Sequence, residues 1–251
     1  MSSDDRPSPV PIAPFDVAEK TGEAAAPGPG KYDRSQPTDA RRSEQRQRLL
    51  GAAAQVFARH GYTGASVDLV IREVRMSRRT FYEHFKDLED TFLAVYETGQ
   101  RLLEARVEEA VAREEDPVAQ VREGIIAYLR AVGGSAALAR VLYHEIHAIG
   151  PAEHARHEAM RDRFARLWAK GFENGFRKGL AKRIPDDVTI YALSTAVEAV
   201  AMRYLDRGEE AKILEAAPAL VALALTATQY TDEDILRLQR VADVAPKKPE
   251  T

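Results

Sequence analysis

The sequence predicts an all-α protein in which an N-terminal three-helix head with a helix-turn-helix precedes a larger helical domain. Three observations support this. From about residue 43 onward, apolar residues recur at the i, i+3, i+4, i+7 spacing of an amphipathic helix, and no segment alternates as a half-buried strand does. Glycine and proline punctuate that pattern at Gly61, Pro117, Gly133-Gly134, Gly150-Pro151 and Pro185. Charge is also unevenly spread. Residues 41–86 hold 10 basic and 4 acidic side chains, whereas residues 1–40 hold 4 and 7, and residues 87–251 hold 22 and 28.

The elements follow in order. Residues 1–40 carry seven of the thirteen prolines and almost no apolar periodicity. They bury too little apolar surface to offset their ordering entropy, so a disordered tail is expected. The basic residues Arg41, Arg42, Arg46 and Arg48 that follow are either a solvated helix start or an arm for the phosphate backbone or minor groove. The first helix is expected from Ser43 to His60, with Leu50, Ala53 and Phe57 on one stripe and Gly61 as its stop. Ser66 caps a second helix whose Val67, Val70, Ile71 and Val74 share a face. After a turn at Arg75-Met76, Ser77 caps a third helix, and Asp87 caps a long fourth reaching Glu115. Pro117 opens a fifth helix, and Ser135 caps a sixth after Gly133-Gly134. A seventh follows Gly150-Pro151, and an eighth runs from Val188 to about Leu205. The last stretch, Glu209 to Gln229, is either kinked or reopened by Pro218, and residues 231–251 read as a tail. The domain boundaries expected are therefore 41–86 for the head and 87–230 for the rest.

Composition narrows the function classes. With 45% hydrophobic and 30% charged residues the chain reads as an ordinary globular protein. It has no cysteine, which excludes disulfides and thiolate chemistry and leaves zinc only His and carboxylate ligands. The start is acidic with no apolar stretch behind it, and the apolar run Ala216–Ala227 is short and contains Pro218, so a cytoplasmic protein without membrane contact is expected. No nucleophile–base arrangement or glycine-rich phosphate cradle is found, which argues against an enzyme and against a cofactor. His144, His147, His154 and His157 are interleaved with Glu145, Glu153 and Glu158, but solvated helix ends explain them and no metal site is assigned.

The functional signal lies in residues 66–86. Two short helices joined by a tight turn, the second strongly basic, are the geometry that sets a helix in the major groove of DNA. In Ser77-Arg-Arg-Thr-Phe-Tyr-Glu-His-Phe85 the helical period turns Phe81 and Phe85 inward with Met76, and Arg78, Arg79 and Tyr82 outward. Either arginine suits a bidentate contact to guanine, whereas Ser66, Thr80, Tyr82, His84 and Lys86 suit phosphate oxygens.

Together with Gly61-Tyr-Thr-Gly-Ala-Ser-Val67 and Asp87-Leu-Glu-Asp90, this stretch resembles the N-terminal domain of the TetR family of transcriptional regulators, over about one fifth of the chain. Two positions depart from the family pattern. Arg75 stands where glycine is common in the turn, at a cost of roughly 1 kcal/mol if its φ is positive. Leu88 stands where a phosphate-directed lysine is common, leaving Lys86 as the substitute. The resemblance implies a regulator, usually a repressor, that reads a palindromic double-stranded operator as a homodimer. It further implies a small-molecule effector held by the middle helices, for which Tyr96, Tyr128, Tyr143, Phe164, Trp168 and Phe172 are candidates. It places the dimer contact on the last two helices, and their residues agree: Leu193, Val197, Val200 and Tyr204 surround the eighth helix, with Leu220 and Leu223 on the ninth. The alternative is an architectural DNA-binding protein without effector.

Overall fold

The computed structural model describes residues 38–149 and 151–229. The expected N-terminal tail up to residue 37, the expected C-terminal tail, and the side chains of His147 and His154 lie outside the described residues, whereas residues 38–40 of the expected tail are helical. Among the described residues there is no strand. Nine α-helices are found there: α1 (Thr38–His60), α2 (Val67–Val74), α3 (Arg78–Tyr82), α4 (Leu88–Ala112), α5 (Pro117–Gly133), α6 (Ala136–Ile149), α7 (Pro151–Arg177), α8 (Asp187–Asp206) and α9 (Ala217–Thr226). A 3-10 helical stretch, Glu210–Ala216, precedes α9.

Local chemistry explains most boundaries. Gly61 leaves α1 with φ +67°, a left-handed position that costs glycine little. The Ser66, Ser77 and Asp186 side chains accept the backbone N–H of Leu69, Thr80 and Thr189, each capping the helix that follows. Asp87 Oδ1 accepts the Asp90 N–H at 2.8 Å, while Asp90 Oδ2 accepts the Lys86 N–H at 2.9 Å, so the start of α4 is tied from both directions. Pro218 sits in the first turn of α9 and opens a new helix rather than kinking an old one. Three expectations change. α1 begins five residues before Ser43, α4 ends at Ala112 rather than Glu115, and Ser135 does not cap α6 through its side chain, because its Oγ is buried without a hydrogen-bond partner among the described residues.

The described residues form two compact units, 38–103 with 131–149, and 104–130 with 151–229. The division between these units falls inside α4 at Leu103/Glu104. The reason is visible in the first unit's core. Phe92, Val95 and Tyr96 from the first half of α4, and Leu138, Leu142 and Ile146 from α6, are buried with Leu49, Val56, Phe57, Val70 and Phe81. Helices α1, α2 and α3 alone cannot cover Phe57 and Phe81 on all sides, and these residues complete the cover. Tyr62 explains its place beside Gly61: its ring lies edge-on to Phe92 at 5.1 Å, and Phe92 lies edge-on to Phe57 at 5.2 Å. In the second unit α7 packs on α8, and α8 also meets the 3-10 stretch and α9.

Candidate functional site

The first unit presents α3. Phe81 is fully buried, and Phe85 just beyond the helix is nearly so, with ring centroids 5.7 Å apart. Those two anchors set the rotation of the helix. A five-residue helix has little stability of its own, so burial of the aromatic face and the Ser77 cap hold it. Ser77 Oγ also lies 2.9 Å from Thr80 Oγ1, tying down the half-buried Thr80.

The opposite face meets solvent. The Arg79 side chain is 90% exposed, Lys86 88%, and Tyr82 is exposed as well. Arg79 makes a single i,i+4 contact, Nε to Glu83 Oε1 at 3.1 Å. Arg78 is held differently: Nε donates to Asp68 Oδ1 at 3.0 Å and Nη2 to Asp68 Oδ2 at 2.5 Å. The hydrogen bonds and charge of Asp68 hold this guanidinium's pKa above its ordinary value. One forked edge of Arg78 is thus used inside the head, and the Nη1 edge remains for a further acceptor.

The remaining predicted contacts divide. Ser66 Oγ is committed as an acceptor to the α2 cap, which leaves its hydroxyl hydrogen to donate. His84, expected on the flank of the helix, is half-buried, and its Nε2 is out of solvent with no hydrogen-bond partner among the described residues. Burial, with Arg42 and Arg46 nearby, pushes its pKa below the usual imidazole value despite Glu83.

The basic start of α1 is not a free arm. Arg42 donates to the Glu83 carbonyl at 3.3 Å, Arg48 to the Val74 carbonyl at 3.4 Å, and the Arg46 guanidinium lies 5.0 Å from the Phe85 ring centroid. These arginines brace the ends of α2 and α3. Asp68 and this bracing were missed from sequence, because contacts 10 to 41 residues apart leave no local signal. Gly64 was visible in the motif without its reason: a Cβ there would collide with the His60 carbonyl. Arg75 does adopt φ 55°, ψ 45°. Leu88 packs against the first unit's core, which explains an apolar residue at the start of α4.

The second unit contains a cavity of about 720 Å³, part of it open to solvent, walled by α4, α5, α7 and α8. Of the six aromatic candidates, Tyr128, Phe164 and Trp168 line it, with Tyr128 edge-on to Phe164 at 5.7 Å. Phe172 is buried and stacked on Trp168 without reaching the cavity wall. Tyr96 and Tyr143 belong to the first unit, Tyr96 in its core and Tyr143 beside His144. Neither of these two lines this cavity.

A polar cluster lies at one wall. Arg161 Nε donates to Glu198 Oε2 at 2.8 Å, and its Nη1 to Glu158 Oε1 and to the Tyr191 hydroxyl, both at 3.2 Å. Buried His157 places Nε2 3.4 Å from Glu198 Oε1. Burial alone would raise the Glu198 pKa, but His157 and Arg161 outweigh it and keep the carboxylate ionised. Burial likewise opposes the charge of Arg161, and Tyr191 with Glu198 more than restores it. No group of three or more metal-ligating side chains is found among the described residues.

The dimer candidates also divide. Leu193, Val197 and Leu220 are buried within their own chain, and Val197 lines the cavity. Val200 and Tyr204 are half-buried, and Leu223 is 49% exposed. The apolar circumference of α8 is covered on one side by its own unit, while Val188, Ala192 and Ala199 of α8 and Ala219, Ala222 and Leu223 of α9 stay exposed.

Comparison with known proteins agrees with this layout. The HTH-type transcriptional repressor AcnR of Corynebacterium diphtheriae is 36% identical over 86 residues, 34% of this chain and 42% of that protein. The HTH-type transcriptional activator FasR of Mycolicibacterium smegmatis is 29% identical over 112 residues, 45% of this chain and 49% of that protein. The matches thus span less than half the length of these curated relatives. A tetR-family regulatory protein from Rhodococcus RHA1 superposes with TM-score 0.60 at 22% identity, covering 75% of this chain and 99% of that one. FadR from Bacillus subtilis, in complex with stearoyl-CoA, gives 0.65 at 15% identity, covering 72% and 97%. The family model for bacterial regulatory proteins of the tetR family matches residues 49–95, and that for the tetracyclin repressor-like C-terminal domain matches residues 114–227. With one model matched across the reading head and the other across the cavity-bearing helices, the chain belongs to the TetR family of bacterial regulatory proteins.

Proposed function

We propose that this protein is a cytoplasmic DNA-binding transcriptional repressor that reads a palindromic operator as a homodimer and is released by a small molecule. The observation that carries the reading is the exposed edge of α3, where Arg78, Arg79 and Tyr82 stand opposite two buried phenylalanines within the basic segment of an otherwise acidic chain. Arg78 and Arg79 read base edges, while Tyr82, Thr80, Lys86 and the Ser66 hydroxyl position the head on phosphates.

One short helix contacts too few bases for selective binding, so two heads about one helical turn apart (~34 Å) are required. The exposed residues of α8 and α9 support a two-fold contact, since these small and apolar side chains allow close helix approach. The cavity supports an effector, and α4 offers the route of coupling: its first turn belongs to the head, and its Val107 and Val111 line the cavity. A cavity of this kind favours an effector-responsive regulator over an architectural DNA binder. No single described helix is long and apolar enough to cross a membrane.

Selection of bound sites from random duplex DNA tests the proposal. A palindrome with half-sites about one helical turn apart is the expected result. Binding without sequence preference, or none at low salt, overturns it.

A further inference from the structure

Arg78 and Arg79 are neighbours on α3, yet the head holds them in different ways. Arg79 makes one contact, within its own helix, to Glu83. Arg78 is held across two helices by a pair of hydrogen bonds, Nε to Asp68 Oδ1 at 3.0 Å and Nη2 to Asp68 Oδ2 at 2.5 Å. Both ends of that bridge stand on anchored backbone. Asp68 lies in the first turn of α2, which the Ser66 cap and buried Val70 and Val74 fix in place. Arg78 is the first residue of α3, fixed by the Ser77 cap and buried Phe81.

The two side chains are 59% and 52% exposed, and a pair so exposed adds little to stability. Its effect falls on orientation. A guanidinium is planar, with five N–H groups in a rigid fork. Asp68 takes the edge formed by Nε and one hydrogen of Nη2. The edge formed by Nη1 and the second hydrogen of Nη2 lies at the tip of the side chain, and it has no hydrogen-bond partner among the described residues. Two donors side by side match the O6 and N7 acceptors that guanine presents in the major groove.

Charge acts in the same direction. An unpaired arginine is drawn to whichever phosphate lies in reach, whereas Arg78 carries its counter-charge with it and gains less from the backbone. The rotamer freedom that a long side chain gives up on binding is already given up in the free head.

We propose, resting on the regulator reading above, that Asp68 is a positioning residue for base recognition: it orients Arg78 so that the open edge of the guanidinium reads one guanine in each half-site.

The operator selected from random duplexes is remade with 7-deazaguanine, which lacks the N7 acceptor, at each guanine of the half-site in turn. Full-length protein is titrated onto each duplex by fluorescence anisotropy. At one guanine the replacement is expected to weaken wild type at least about fivefold. Arg78→Ala should bind that duplex and the unmodified operator equally, while Arg79→Ala should keep the full penalty. Asp68→Asn should bring the penalty below about twofold, yet bind random duplex as well as wild type or better, since a negative charge near the phosphates is gone. A merely structural role for Asp68 would instead lower affinity for every duplex together.

No penalised guanine, a penalty that survives Arg78→Ala or disappears in Arg79→Ala, a full penalty in Asp68→Asn, or an equal loss on all duplexes in Asp68→Asn each overturns the proposal while the selected operator stands. If no operator is selected at all, the regulator reading falls and this proposal falls with it.

Discussion

Replacing Arg75 by glycine should stabilise the protein. Arg75 follows α2 with φ 55° and ψ 45°, the one non-glycine residue with positive φ among the described residues. The surrounding hydrogen bonds are those of a Schellman turn: Met76 N–H to the Ile71 carbonyl at 3.0 Å and Arg75 N–H to the Arg72 carbonyl at 3.3 Å. Met76 and Ile71 both pack against the first unit's core, so the turn is held by its neighbours and imposes the left-handed conformation on whatever residue stands there. An L side chain in that region costs roughly 1–2 kcal/mol. Glycine removes the cost, but loses about 0.5–1 kcal/mol through the greater freedom of the unfolded chain. The difference is a gain of roughly 0.5–1 kcal/mol, because both hydrogen bonds are made by backbone and survive the change. Reversible denaturant unfolding of wild type, Arg75→Gly and Arg75→Ala measures it. The alanine variant controls for loss of the charge and should not show the gain. If glycine proves no more stable than alanine, the turn is not strained and the reasoning fails.

Other consequences concern the site. Arg79→Ala should weaken operator binding by about 1–3 kcal/mol if Arg79 reads a base. Unchanged affinity and sequence preference, measured by fluorescence anisotropy, assigns the reading elsewhere. Asp68→Asn should leave the melting temperature nearly unchanged, since the pair with Arg78 is exposed, yet lower the ratio of operator to random-duplex affinity because Arg78 is no longer held in one orientation. An unaltered ratio removes Asp68 from recognition. The His84 pKa is lowered on folding, so its contribution is fully present above the ordinary imidazole value of about 6.5 and is lost as pH falls through the lower folded value. The stability difference between wild type and His84→Gln should therefore change with pH in that window, and a flat difference contradicts the assignment. Leu223→Glu should convert dimer to monomer in sedimentation, and a variant that still sediments as a dimer rejects the α8–α9 contact.

Much of the first unit was legible in the chain because its signals are local. Ser66, Ser77 and Asp87 cap within three residues of themselves, and Gly61 and Arg75 carry backbone conformations that a residue type or its absence announces. The inward turn of Phe81 and Phe85 follows from spacing alone. Tyr128, Phe164 and Trp168 were expected at the cavity together with Tyr96 and Tyr143, since helical periodicity marks an apolar face without naming its partner.

Amino-acid order by itself determined an all-helical chain, the caps and stops of most helices, and a basic, outward-facing α3, because each depends on residues within a turn or two of one another. Only the tertiary structure decided that the arginines of α1 brace the head, that Asp68 holds Arg78, that the units divide within α4, and that Arg161 and Glu198 neutralise each other at the cavity. These pairings join residues 10 to 41 positions apart, and the packing of apolar faces that brings them together is non-directional, so no local spacing encodes which partner each side chain meets.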